Sequence, residues 1–158
     1  MSAVRLQALS DAPDAFESTL RQELAWTTSD WRRWISHGAI FVLERSDRRM
    51  GIVAGVPHRS DRAAAFLESM WIHPELRGTG SASALVASVL AWAEAEGAAE
   101  VWLHVGERND RARRFYARHG FRPTGNKIVR ERDGLVEAEM RCTLGRARRD
   151  ANRSAGPE

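Results

Sequence analysis

Three groups of residues in this chain have types and spacings that can do chemistry. The first is a glycine turn, Arg77-Gly78-Thr79-Gly80, between an apolar run and a helical stripe. Gly78 and Gly80 allow positive φ, or the close approach of a ligand, where a Cβ would block it. The apolar positions that follow, Leu85, Val86, Val89, Leu90 and Ala93, recur at helical spacing and stop before Gly97. Such a turn puts unpartnered amides at the positive end of a helix dipole, which suits an anion and phosphate above all. No Gly-Lys-Ser/Thr occurs, so this is not a Walker A loop, and Ser81-Ala82-Ser83 supplies no third glycine for a dinucleotide fingerprint.

The second is Glu68, inside Ala65-Phe66-Leu67-Glu68-Ser69-Met70-Trp71-Ile72. A carboxylate in an apolar run needs either an arginine to pair with it or surroundings that raise its pKa for proton abstraction, directly or through water. Strand alternation puts Glu68 on the side of Ile72, four residues on, and Ser69 on the opposite face. The third is a set of tryptophans, Trp26, Trp31 and Trp34. Helix-spaced aromatics are commonly core, yet a cationic amine over an indole face is sound physics. His104 and His73 sit at strand ends, with a structural role expected for His104. The five histidines and single cysteine show no metal-ligand spacing, so no metal is expected.

These groups need elements to position them. Val4–Leu9 alternates and reads as a first strand. Asp11 and Pro13 start a helix carrying Phe16, Leu20 and Leu24 on one face. A short helix with Trp31, Trp34 and Ile35 ends at Gly38. Ile40–Leu43 and Gly51–Val56 form a hairpin around Ser46–Arg49. After the central strand, turn and helix comes a strand at Val101–Val105. A helix capped by Asn109 or Asp110 then runs to Arg118, with Ala112, Phe115 and Tyr116 inward. Two last strands, near Lys127–Arg130 and Glu137–Leu144, join at Asp133-Gly134. Hairpins at both ends with helices between predict an α+β domain with a mixed sheet. The unit 65–105 predicts a right-handed crossover with two parallel strands. The turn at the end of such a strand is where open sheets bind ligands.

Composition narrows the class. The chain has 158 residues, 43% hydrophobic and 28% charged, and forms one domain over residues 1–144 with an expected disordered basic tail, 145–158. It has no membrane-spanning run and no signal-peptide core at Met1–Arg5, and Cys142 is its only cysteine, so a reducing cytoplasm is expected. The formal charge of +3 is small, and four arginines of the tail supply much of it, which argues against nucleic acid as partner. The strand near Glu137–Leu144 is expected at a sheet edge, where a second copy could pair to give a homodimer.

The segment Ile72-His73-Pro74-Glu75-Leu76-Arg77-Gly78-Thr79-Gly80-Ser81-Ala82 resembles the acyl-CoA pyrophosphate signature of the GNAT superfamily of N-acyltransferases, with Arg77, Gly80 and Ala82 filling Arg/Gln-x-x-Gly-x-Gly/Ala. Asn109-x-x-Ala112-x-x-Phe115-Tyr116-x-x-x-Gly120-Phe121 resembles that family's second signature. The resemblance implies a mixed, mostly antiparallel sheet with a splayed parallel strand pair and helices on both faces. It implies acetyl-CoA as acyl donor, its pyrophosphate held by amides of Arg77, Gly78, Thr79, Gly80, Ser81 and Ala82. Its pantetheine arm would lie along the edge Met70, Trp71 and Ile72, opposite Val101–Val105, with Asn109 as a further contact. Tyr116 matches the general acid facing the CoA sulfur, and Glu68 is the candidate base. Trp26, Trp31 and Trp34 fall in the segment that forms the acceptor wall, so Trp31 and Trp34 are candidate substrate contacts. The implied function is transfer of acetyl to a primary amine of a small molecule, by direct attack in a ternary complex. Acetylation of a protein N-terminus or lysine, and a CoA-binding module without turnover, stay open as alternatives.

Overall fold

The spacing of buried positions decides the first element. Our computed structural model describes residues 2–61 and 63–145. Val4, Arg5, Ala8 and Leu9 are buried, and that spacing covers one face of a helix, α1 (Ser2–Asp11). The strand expected at Val4–Leu9 is therefore a helix. Its apparent alternation counts Arg5 as solvent-facing, whereas Arg5 is only 5% exposed.

The single helix expected to carry Phe16, Leu20 and Leu24 is broken as well. Pro13 opens a 3-10 turn, Pro13–Ala15, and Thr19 starts a separate helix, α2 (Leu20–Leu24), through a capping box with Gln22. Phe16 is buried while Leu24 lies on the surface. Thr27 and Asp30 form the same reciprocal cap on α3 (Thr28–Ile35), the expected tryptophan helix.

Strands β1 (Ala39–Arg45) and β2 (Arg48–Pro57) form a hairpin. Its turn residues Ser46 and Asp47 both have positive φ, 49° and 59°, a turn whose twist matches that of the strands. Strand β3 (Ala64–Ile72) runs antiparallel to β2. A 3-10 turn, Pro74–Leu76, and helix α4 (Ser81–Ala95) then lead to β4 (Glu100–Gly106), parallel to β3. Helix α5 (Asp110–Arg118) and the hairpin of β5 (Arg122–Val129) and β6 (Val136–Thr143) complete the described chain. The sheet order is β1-β2-β3-β4-β6-β5, antiparallel except at β3–β4. This is the mixed, mostly antiparallel sheet expected. Strand β6, however, is interior: β4 pairs with it from Glu100 to Gly106, and β5 covers its other side. The edges are β1 and β5, so Glu137–Leu144 offers a second copy nothing to pair with. Of the tail expected over 145–158, all but Gly145 lies outside the described residues.

Helices cover both faces. Under α4 and α5, Val53, Leu67, Leu85, Val89, Leu103 and Phe121 form the larger apolar core. Under α1, Val4, Leu9, Phe16, Ile52 and Trp71 form a second. Among the described residues, no helix is long and apolar enough to cross a membrane.

Arg130 straps the last hairpin to the N-terminal layer. Its guanidinium is buried, donates to the carbonyls of Asp14 and Phe16 at 3.0 Å each, and pairs with Asp133 at 2.7 Å. Arg130→Met removes those donors, leaves the buried Phe16 carbonyl without its partner and cuts the tie to Asp14, while Asp133 keeps Arg132. We expect it to lower the unfolding free energy by about 3 kcal/mol in urea titrations, and a loss below about 1 kcal/mol would show the strap to be dispensable.

Candidate active site

The central strands meet and then part. Pairing between β3 and β4 covers only Ala64, Ala65 and Phe66 against Glu100, Val101 and Trp102. Beyond that point β3 stays with β2, as far as Ile72 against Gly51, while β4 stays with β6. The side of β3 that faces β4 is thus left without a strand partner over Met70, Trp71 and Ile72.

A β-bulge lies inside this unpaired stretch. Ile52 of β2 is opposite Trp71 and Ala54 is opposite Glu68, so β3 spends one extra residue there, and Ser69 takes φ 60°. The bulge overturns the expected alternation. Ile72, Met70 and Leu67 pack toward α4. Glu68 instead lines a cleft on the α1 and α3 side with Trp34, Ile40 and Ala54, and Ser69 faces that same side. Glu68 therefore does not share the face of Ile72, nor does Ser69 oppose it.

Arg5 holds the bulge. Its Nη1 donates to Ser69 Oγ at 2.9 Å, while Nε and Nη2 grip the carboxylate of Glu23 at 2.7–3.1 Å. Glu23 is 1% exposed. The guanidinium also lies 4.6 Å from the Phe16 ring centre and 5.3 Å from that of Trp34. One buried cation thus ties together α1, α2, the bulge and a wall of the cleft.

The glycine turn has the expected form. Gly78 and Gly80 take φ 85° and 87°, and Gly80 caps α4 without any side-chain bond. Thr79 Oγ1 donates to the Leu76 carbonyl at 2.7 Å, which braces the turn from within. Among the described residues the amides of Gly78, Gly80, Ser81 and Ala82 find no backbone acceptor. Those of Arg77 and Thr79, expected in the same set, bond to the carbonyls of Pro74 and Leu76. The Arg77 side chain turns back, with Nε donating to the Ile72 carbonyl at 3.2 Å and Nη2 bonded to Asp11. Asp11 also accepts from the Trp71 indole at 2.9 Å. That bond, with Arg77 beside it, holds the Asp11 carboxyl below its ordinary range. His73 Nδ1 accepts from the Glu75 amide, a capping role.

Tyr116 and Glu68 sit on opposite faces of the sheet. Tyr116 packs in the α4–α5 core against Phe115 and Phe121, and burial pushes its hydroxyl well above the ordinary range, so it keeps its proton. Asn109 caps α5 by accepting from the Ala112 amide at 3.0 Å. On the other face lies a cleft of about 660 Å³, lined by Trp26, Trp34, Ile40, Phe66, Glu68 and His104 among others. Trp34 lines it as expected. Trp31 does not, but packs edge-on against Trp26 and Trp34 behind the wall, at 4.8 and 6.0 Å between ring centres. His104 meets Glu139 at 3.6 Å and the Phe66 ring at 4.8 Å. Arg33 and Arg59 of the cleft, and Arg5 behind it, escape a sequence reading. Arg5 alone left a signal: it interrupts an apolar run, as Glu68 does.

Burial raises the Glu68 carboxyl above its ordinary value of 4.5, against the pull of Arg5, Arg59 and His37. The folded chain therefore holds this proton more tightly than the unfolded chain does. The stabilisation is complete below the ordinary value and fades as pH rises through the raised one. Glu68→Gln should match the parent near pH ~4 and become more stable than it as pH climbs toward ~8. Thermal melts across that range would show it, and a gap that shrinks with pH would contradict the assignment.

Comparison with known proteins agrees with this geometry. The profile of the Acetyltransferase (GNAT) family matches residues 6–121. An uncharacterized N-acetyltransferase of Mycobacterium tuberculosis is 43% identical over 72 residues, 46% of each chain. The chain spans about half the length of the curated relatives it matches. Among solved structures, yncA of Salmonella typhimurium, determined with its cofactor acetyl-CoA, superposes with a TM-score of 0.71 at 19% identity, over 90% of this chain and 88% of that one. A GNAT-family acetyltransferase of Streptococcus pneumoniae gives 0.74 at 19% identity, over 90% of both. With the opened strand pair, the glycine turn and a profile covering most of its length, this chain belongs to the GNAT family of acetyltransferases.

Proposed function

We propose that this chain transfers an acetyl group from acetyl-CoA to the primary amine of a small molecule, by direct attack in a ternary complex. The observation that carries this is the opening between β3 and β4. It has unpartnered amides at one end, and the sheet it opens in carries Tyr116, kept protonated by burial, on one face and Glu68 on the other, which supports the acid and base roles assigned below. The Salmonella neighbour holds acetyl-CoA on the same fold. The residues at the turn fit a diphosphate. A Cβ built on Gly78 or Gly80 would meet nothing within 4 Å, so the space beside these amides is open.

Acetyl-CoA supplies an activated acyl carbon and a thiolate leaving group. The free amides of Gly78, Gly80, Ser81 and Ala82 bind the pyrophosphate, and the unpaired edge at Met70–Ile72 offers main-chain partners to the pantetheine arm. The acceptor amine must lose its proton before it can attack. Glu68 faces the cleft and its raised proton affinity narrows the gap to an ammonium group, so it serves as general base. Tyr116 keeps its hydroxyl protonated at neutral pH and donates to the departing sulfur. Base and acid approach the opening from opposite faces, which lets donor and acceptor enter separately. Trp34 lines the acceptor side, with Trp31 supporting it from behind.

Two outcomes test the assignment. A Cβ at Gly80 would sit at φ 87°, so Gly80→Val should distort the turn and weaken acetyl-CoA binding by about tenfold or more in calorimetric titration. Unchanged affinity would remove the turn from the binding site. Tyr116→Phe should lower kcat by roughly 10²–10⁴ while acetyl-CoA affinity holds, measured by thiol release. A kcat equal to that of the parent would take the acid role from Tyr116.

A further inference from the structure

We infer that the acceptor is a free amino acid, with its own carboxylate beside the amine and an apolar or aromatic side chain. This presupposes the acetyl transfer proposed above and names the class of molecule that fills the cleft. The uncommitted charges of the cleft carry the inference. Besides three histidines, four side chains with an acidic or guanidinium group line it: Asp30, Glu68, Arg33 and Arg59. The Asp30 carboxylate is spent on its own helix cap, accepting from the amide and hydroxyl of Thr27 at 2.9 and 2.7 Å, with Arg33 at 3.5 Å. Glu68 has no hydrogen bond or ion pair among the described residues. Arg59 is exposed and makes no ion pair among them, its charge reaching Glu68 only at longer range, and Arg33 keeps a side chain 69% exposed. The cleft thus holds one half-buried carboxyl facing inward and, at its rim, the guanidinium of Arg59 without an ion pair, beside Arg33, whose one anion is the Asp30 already used as a cap. Between them lies an apolar lining that includes Trp34 and Phe66.

Each candidate acceptor meets those charges differently. A simple alkylamine satisfies Glu68 and leaves the guanidinium groups with water. A polyamine brings a second cation against Arg59. A protein N-terminus carries an amide where a free amino acid carries its carboxylate, so it has no charge for Arg59 to bind. An α-amino acid meets both. Its amine reaches toward Glu68, its carboxylate takes the planar fork of a guanidinium, and its side chain covers the indole of Trp34.

Three probes with one side chain separate these classes: phenylalanine, phenylalaninamide and phenethylamine. Thiol release from acetyl-CoA should favour phenylalanine by about tenfold or more in kcat/KM, since a charge-assisted pair exchanged for water is worth about that factor. Arg59→Gln, an exposed change, should erase the preference by raising KM for phenylalanine alone, while any effect of the lost charge on Glu68 falls on all three probes alike. Tryptophan fluorescence should show N-acetylphenylalanine binding the parent more tightly than its amide does, and equally with it in Arg59→Gln. Equal turnover of all three probes would overturn the amino-acid class and leave acetyl transfer standing. Binding that depends on carboxylate and Arg59, without thiol release from any probe, would support the class and sink the transfer. A preference that survives Arg59→Gln, or no binding of either acetylated probe, would overturn the inference.

Discussion

Everything functional in this molecule depends on a sheet that stops pairing halfway along its central seam. After Phe66 and Trp102 the two parallel strands follow different partners: β3 remains with β2 and β4 with β6. A continuous ladder would have satisfied every amide there and closed the route from one face to the other. Unpaired main chain inside a fold has to be met by something else, because an orphaned buried amide or carbonyl costs about as much as a lost hydrogen bond. An extended ligand arm with its own amides answers that need. The fold thus carries a vacancy of defined shape next to a helix start that favours anions.

The bulge at Ser69 makes this opening usable from the acceptor side. In an unbroken strand counted back from Ile72, alternation would turn Glu68 toward α4, on the face of Met70. With the bulge, Glu68 and Ser69 face the cleft together. A left-handed serine is a strained choice, and it persists because its surroundings over-determine it: Arg5 binds its hydroxyl and is itself gripped by Glu23. A buried ion pair is weak evidence for stability, since desolvation offsets most of its attraction. Its value here is positional. A hydrophobic pair of equal volume would fill the same space but could not hold Ser69 Oγ.

Much of this was legible in the sequence, and most of the exceptions arise from tertiary context. The glycine turn, the long helix after it, the hairpin around Ser46 and Asp47 and the capped helix at Asn109 each rest on local chemistry that fixes backbone geometry: positive φ, an absent amide, a side-chain acceptor. Those signals survive in any context. The helix expected to carry Phe16, Leu20 and Leu24 missed local signals, Pro13 and the Thr19–Gln22 capping box, but two other failures come from a charge and a residue count that only tertiary structure explains. Arg5 made α1 look like a strand because a buried arginine was read as an exposed one. The Ser69 bulge reversed the faces of Glu68 and Ser69 because alternation assumes one residue per pairing step. The order of β5 and β6 had no local signal at all, since nothing in either strand says which of them β4 will choose. In the site, the arginines of the cleft are ordinary surface residues in sequence, and only the fold brings Arg33 from α3 and Arg59 from the loop after β2 to one rim.

The two faces of the sheet divide the work in a way that follows from their composition. The face under α4 and α5 is packed almost wholly with apolar side chains, and the Tyr116 hydroxyl within it is held protonated by burial. That environment stabilises a neutral donor and would penalise a carboxylate. The face under α1 and α3 tolerates charge, because Arg5, Glu23 and the rim arginines supply compensating groups, and there a carboxyl can gain or lose a proton in use. Exchanging the two residues would fail on electrostatic grounds alone: a glutamate in the Tyr116 environment would stay neutral and could not serve as base, while a tyrosine at the cleft would already carry its proton at neutral pH and have no lone site to accept another. The opening between β3 and β4 joins an apolar compartment that keeps protons to a polar one that accepts them, and acyl transfer to an amine requires both.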